Sequence, residues 1–156
     1  MEETQQMTEQ GIEQAEKSVT YIGFWKRVLS SIIDSLLLML VTLPILFAIY
    51  GIEYFTSEQP IQGWADGVVN YVLPIAIVIF FWLRFAATPG KMVWRGVIVD
   101  ARTLGPMSGM QCALRYIGYI ISTVPLCLGF IWIAFDDKKQ GWHDKIARTV
   151  VIERDE

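Results

Sequence analysis

"FWKRVLSSIIDSLLLMLVTLPILFAIY", Phe24 to Tyr50, decides the fold. From Val28 to Tyr50 it is long and apolar enough to cross a bilayer, since a helix needs about 20 such residues to span about 30 Å of hydrocarbon. Two of its residues sit badly with that solvent. Arg27 stands at the entrance, and Asp34 follows seven residues later. Seven residues is nearly two turns, so both side chains share a face, about 10 Å apart along the axis. Ser30 and Ser31 fall between them. The helix thus carries one polar stripe near its start, and such a stripe should face protein or water rather than lipid.

The composition agrees with a membrane setting. Apolar residues make up 53% of the chain and charged residues only 19%, against about a quarter in soluble domains. Mean hydropathy is +0.39. The length fits one domain. A net charge of −3 with no basic stripe argues against nucleic acid as a partner. Cys112 and Cys127 lack a second ligand pair, so neither zinc nor a disulfide framework is indicated, and free, buried thiols are expected. No cofactor is implied. Trp25, Trp82, Trp132 and Trp142 lie near the ends of apolar runs, where amphipathic rings favour the headgroup zone; ordinary core packing is the alternative for each.

Two further apolar runs follow, "VVNYVLPIAIVIFFWLRFAA" over Val68 to Ala87 and "CALRYIGYIISTVPLCLGFIWIAF" over Cys112 to Phe135. The connection before the second holds Glu53, Glu58 and Asp66 but no Lys or Arg. Lys17, Lys26 and Arg27 precede the first run, and Lys91, Arg95 and Arg102 follow the second. The positive-inside rule then puts the N-terminus and the middle segment in the cytoplasm. Three full spans would leave the C-terminal tail outside, yet that tail carries Lys138, Lys139, Lys145, Arg148 and Arg154. The soluble pieces weigh on the same question. "WRGVIVDARTLGPMS" reads as a strand, a turn and a short extended piece, and "RTVVIERD" as another strand. Pairing them requires both on one side of the membrane, and a third strand would help so small a sheet. We therefore expect the third run to re-enter as a hairpin bent near Thr123 to Leu126, where Pro125 and Gly129 interrupt it. A third span kinked at Pro125 is the rival.

The fold class expected is an α-helical membrane protein with two transmembrane helices, a third apolar segment and a small cytoplasmic β element joining the middle segment to the C-terminal strand. Residues 1–22, "MEETQQMTEQGIEQAEKSVTYI", have no basic n-region followed by an apolar core and read as a polar, disordered tail with a fraying helix near Thr8 to Lys17. The membrane domain runs over 23–152, and 153–156 form a C-terminal tail.

A bare carboxylate at the depth of Asp34 costs about 2.5 to 3.5 kcal/mol on insertion scales. It responds by taking a proton or finding a cation. Arg84 returns to a similar level on the second helix, and Arg115 opens the third run, so three guanidinium groups, with Arg27, are expected to meet Asp34. The cluster either pins the helices together, holds a proton or cation, or meets a lipid phosphate. Pro74 should bend the second helix, and Asn70 has no evident partner. "ATPGKM" lacks the rest of a P-loop; Thr88-Pro89-Gly90-Lys91 fits a type II turn, with Gly90 supplying a positive φ. In "DDKKQGWHDKIARTVV", His143 is the sole histidine, poor support for a metal. A short interfacial helix, Gly141 to Ala147, is expected, with Trp142 and Ile146 toward lipid and Asp144 facing Arg115 or Lys91.

These motifs together resemble the RDD family of bacterial membrane proteins. "GFWKRVLSSIID" matches its arginine and aspartate through Arg27 and Asp34; "QGWHDKIARTVV" matches its later His-Asp pair through His143 and Asp144. "TPGKMVWRGVIVDARTLGPMS" resembles its Gly-Lys turn and strand through Gly90, Lys91 and Gly96, and Arg115 in "ALRYIGY" matches a recurring arginine. The resemblance covers roughly Gly23 to Ile152. It implies a multi-pass protein of the bacterial cytoplasmic (inner) membrane and suggests exchange of a monovalent cation for protons. Two complete helices cannot enclose a pathway, so such an exchanger would be a homo-oligomer in the lipid bilayer, with Asp34 titrating and Asp144 gating. The alternative is a non-transporting scaffold or accessory subunit. No nucleophile or metal set points to an enzyme.

Overall fold

The computed structural model describes residues 19–154, so the helix expected near Thr8 to Lys17 lies outside the described residues. Helix α1, Phe24–Tyr50, is continuous through Pro44. It starts one turn earlier than the apolar run, which brings Arg27 inside the helix. A short turn, α2, Glu53–Thr56, leads to α3, Trp64–Phe85. Both long helices are long and apolar enough to cross a membrane. At 1.5 Å per residue they measure about 40 Å and about 33 Å. Their outer faces are bare hydrocarbon: Leu40 is 71% exposed and Leu83 60%. Apolar surface on that scale marks a lipid-facing protein.

Pro74, expected to bend α3, is preceded by a change of winding. The turn before it, Val68–Val72, is a π-helical turn, with Leu73 N–H donating to Val68 O. Proline offers no amide hydrogen to the preceding turn, and widening that turn is one way a membrane helix absorbs the loss.

After α3 the chain makes a single helical turn, α4, Pro89–Met92, and enters strand β1, Gly96–Asp100. Helix α5, Gly109–Thr123, begins at a capping box between Ser108 and Gln111. It bends by 111° into α6, Leu128–Ala134. The break falls on residues 124–127, with Leu126 and Cys127 in the left-handed region at φ 53° and 62°. Neither arm is of spanning length: about 22 Å and about 10 Å. Gly129 packs the arms together, since a Cβ there would lie 2.6 Å from Ser122 Cα.

Helix α7, Trp142–Ala147, then leads into β2, Thr149–Glu153. β1 and β2 pair antiparallel, Gly96 opposite Glu153 and Asp100 opposite Thr149. A third short edge comes from the residues just before α1. Tyr21 bridges to Ile152, Ile22 N donates to Val151 O (3.0 Å) and Glu153 N to Thr20 O (2.8 Å). Both tail boundaries read from the sequence are therefore corrected. Residues 20–22 belong to the fold, Glu153 lies in a strand, and Arg154 N donates to Arg95 O.

The core sits where the sheet meets the helices, around Ile22, Trp82, Ile98, Cys112 and Val151. Trp82, expected among the headgroups, is 2% exposed and stacks on Tyr119. Trp25 and Trp132 are exposed. Cys127, expected to be buried, is exposed at the bend. Both ends of the bent segment lie against the same end of the molecule. Gln111 Nε2 donates to Arg148 O (3.2 Å), and Arg27 Nη2 donates to Lys139 O (2.7 Å).

Candidate functional site

The buried guanidinium groups converge on Asp144, not on Asp34. Helix α7 presents Asp144 from its first turn, where Oδ2 accepts from Gly141 N (3.0 Å). Arg27 Nη1 donates to the same oxygen at 2.5 Å. Arg115 Nη1 lies 2.5 Å from Oδ1 and donates to Thr149 Oγ1 at 2.6 Å. Arg27 is further fixed by donating from Nε to Ile22 O and from Nη2 to Lys139 O. Arg115 and Asp144 are fully buried. The Arg115 guanidinium lies 5.4 Å from the Trp82 ring and 5.9 Å from Tyr119, which suits a planar, weakly hydrated cation. Burial raises the Asp144 carboxyl, but Arg115 and Arg27 outweigh it and hold it well below the usual carboxylate range.

His143 belongs to the same centre as a neutral ring. It stacks on Tyr119 (4.4 Å between centroids) and lies tilted against Phe130 (4.9 Å), and its Nδ1 lies 3.5 Å from Ser122 Oγ. Burial pushes it down to about 3, against the pull of Asp144 and with the push of Arg115, Arg27 and Lys91. Gly118 admits it, since a Cβ there would lie 2.6 Å from His143 Cα.

Asp34 is held quite differently from expectation. Its Oδ2 accepts from Thr88 Oγ1 (2.6 Å) and its Oδ1 from Gly90 N (2.7 Å). Among the described residues no cation forms an ion pair with it. Arg84 is exposed and lies over the Phe85 ring, 5.3 Å away, outside either centre. The expected contact of Asp144 with Arg115 is present, whereas Arg27, expected at Asp34, pairs with Asp144 instead and Arg84 joins neither acid. Lys91 reaches Asp34 only through a hydroxyl: its buried Nζ donates to Thr88 Oγ1 at 3.3 Å.

The Gly-Lys turn is corrected as well. Residues Pro89–Met92 form a turn of helix rather than a type II turn. Gly90 is needed for closeness, because a Cβ would stand 2.1 Å from Ser30 O and 3.0 Å from Asp34 Cγ. Gly96 is likewise crowded, with Ile22 Cδ1 2.5 Å from its missing Cβ. Ser30 is buried on the α4 side and donates to Lys26 O (2.7 Å). Ser31 donates to Arg27 O (3.0 Å) and lines a different groove, of about 580 Å³, between α1 and α6.

Asp34 and Thr88 form the polar end of a slot of about 320 Å³ between α1 and α3, whose walls include Leu37, Val41, Ile77 and Phe81. A third polar centre, unread in the sequence, occupies the opposite end of the long helices. Buried Asp66 accepts from Tyr54 Oη (3.0 Å), Gln62 N (3.0 Å) and Asn70 Nδ2 (2.5 Å), and its own N–H donates to Tyr50 Oη (3.1 Å). The i, i+4 spacing of Asp66 and Asn70 was the available signal. Among the described residues no three His, Cys, Asp or Glu side chains gather to hold a metal.

The chain is 41% identical over 83 residues to "Uncharacterized protein RP437" of Rickettsia prowazekii (strain Madrid E), a match covering 53% of this chain and 46% of that protein, so under half of the relative's length is spanned. It is 30% identical over 146 residues to "Uncharacterized protein YxaI" of Bacillus subtilis (strain 168), covering 83% of this chain and 95% of that one. No solved structure matches. The model of the RDD family matches residues 21–148, from the strand edge before α1 to the end of α7. The chain belongs to the RDD family, as a protein with membrane-spanning helices.

Proposed function

We propose that this protein exchanges a monovalent cation for protons across the bacterial cytoplasmic (inner) membrane, as a homo-oligomer, with Asp34 as the exchanging carboxylate. One observation carries the reading. Asp34 lies within a spanning helix, lines the slot between α1 and α3, and has neutral hydrogen-bond partners in Thr88 and Gly90. A carboxylate accepts at about four lone-pair sites, so two remain for a proton or an incoming cation. Asp144, clamped by two guanidinium groups, is in the opposite condition and serves the fold rather than exchange. Intramembrane carboxylates of the first kind mark ion and proton pathways.

In this reading the N-terminus, the sheet and α7 face the cytoplasm, in keeping with the basic residues around them. Helices α5 and α6 form a re-entrant hairpin. That arrangement is supported by the 111° bend and by the hydrogen bonds tying both its ends to one end of the molecule. Two spans and a hairpin do not surround a pathway, so copies must assemble around one.

The test is cation/proton exchange in proteoliposomes carrying a trapped pH dye, with Na⁺, K⁺, Li⁺ and tetramethylammonium added in turn. The expected result is that at least one cation collapses an imposed pH gradient with the native chain and none does with Asp34→Asn. An Asp34→Asn protein that inserts, assembles and still exchanges at the native rate overturns the proposal, as does a native protein inert to all four.

A further inference from the structure

We propose that the slot between α1 and α3 binds a lipophilic organic cation: a protonated amine at Asp34 whose alkyl or aromatic body lies along the apolar walls. The proposal rests on the reading of Asp34 as a carboxylate that meets a cation, and it names the chemical class of that cation. A volume of about 320 Å³ falls in the range of small-molecule sites. The slot is strongly asymmetric in chemistry. Asp34 and Thr88 stand at one end, and Leu37, Leu38, Val41, Ile77, Val78 and Phe81 line the rest.

That asymmetry discriminates between ligands. A bare alkali ion leaves water only when a ring of oxygens replaces its hydration shell. Here the side-chain oxygens of the slot are those of Asp34 and the Thr88 hydroxyl. The hydroxyl is already committed, donating to Asp34 and accepting from Lys91. No second carboxylate lines the slot. An ammonium group asks for less, since its donors need one or two acceptors and the two open lone-pair sites of Asp34 supply them. Its apolar body then fills space that a hydrated ion would leave in contact with Leu and Ile side chains. A neutral acyl chain would fit the walls but leave the carboxylate unanswered, so charge selects the amine.

The experiment is equilibrium dialysis of octylammonium and, separately, octanol against the full chain in phosphatidylcholine nanodiscs at neutral pH, with empty nanodiscs as the partition background. Octylammonium is expected to bind saturably above that background and at least tenfold more tightly than octanol. Asp34→Asn should erase the preference. Val41→Trp, which keeps the carboxylate and fills the slot, should weaken octylammonium at least tenfold. Octanol binding as tightly, a preference that survives Asp34→Asn, or no saturable binding would each overturn the proposal. Asp34-dependent alkali exchange without octylammonium binding sinks the organic cation and leaves the exchanger. Octylammonium binding that needs Asp34, in a chain without exchange, sinks the exchanger and leaves the site.

Discussion

Asp144 carries two cations in a fully buried place, and its removal should be felt accordingly. Replacing one partner of a buried ion pair strands the other, at about 3 to 5 kcal/mol. Asp144→Asn strands both Arg27 and Arg115, so thermal unfolding in detergent should show at least that loss. Arg115→Lys should also be poorly tolerated, because an ammonium cannot reproduce the planar contact with Trp82 and the reach to Thr149. His143 and Asp144 set a pH dependence of one sign. The folded His143 is depressed from 6.5 to about 3, so between those values the unfolded chain holds a proton that the folded chain lacks. Stability is full above about pH 6.5 and is lost as pH falls toward 3. Asp144, also lowered, adds loss below its ordinary value. His143→Phe, which keeps a ring against Tyr119 and Phe130, should flatten the melting-temperature profile between pH 6.5 and 4. At this scale the sequence named Arg27, Arg115, Asp34 and Asp144 and offered the Arg115–Asp144 contact, but it gave Arg27 to Asp34. Spacing along a helix reveals which face a side chain occupies, but not which distant segment comes to meet that face.

Among the elements, α4 shows how a short motif can be located and misread. Thr-Pro-Gly-Lys reads as a turn from its own preferences; that Gly90 is required by the backbone of α1 is a tertiary fact invisible in four letters. Gly90→Ala should push α4 off α1, lengthen both hydrogen bonds to Asp34 and cost about 1 to 3 kcal/mol as an overpacking change. Gly109→Ala is the matched control. Nothing lies within 4 Å of its missing Cβ, and the substitution should be neutral or stabilising by about 0.4 to 1 kcal/mol. Equal effects of the two substitutions on the melting temperature would refute the close-approach account. The bend between α5 and α6 was legible, because Pro125 breaks the pattern. The left-handed conformations that turn the chain fall on Leu126 and Cys127, residues that do not advertise it.

For the whole molecule, the two spans and the pairing of the middle segment with the C-terminal strand were readable from apolar length, basic residues and β-branched runs. The edge added by Thr20 to Ile22 was not, since three residues inside a polar stretch make no pattern. Compartment-sensitive reporters fused to the two ends should give the same cytoplasmic readout, and opposite readouts would establish a third crossing. The ionic centre also imposes an order on biogenesis. Arg27 and Asp144 lie 117 residues apart, so Arg27 leaves the ribosome long before its counter-charge exists. The first helix must therefore enter the translocon with an unanswered cation at its mouth, and the bent segment must wait unlatched until α7 emerges. A chain stalled short of α7 would be threaded but unlocked, and the quality-control proteases of the membrane would meet it in that state.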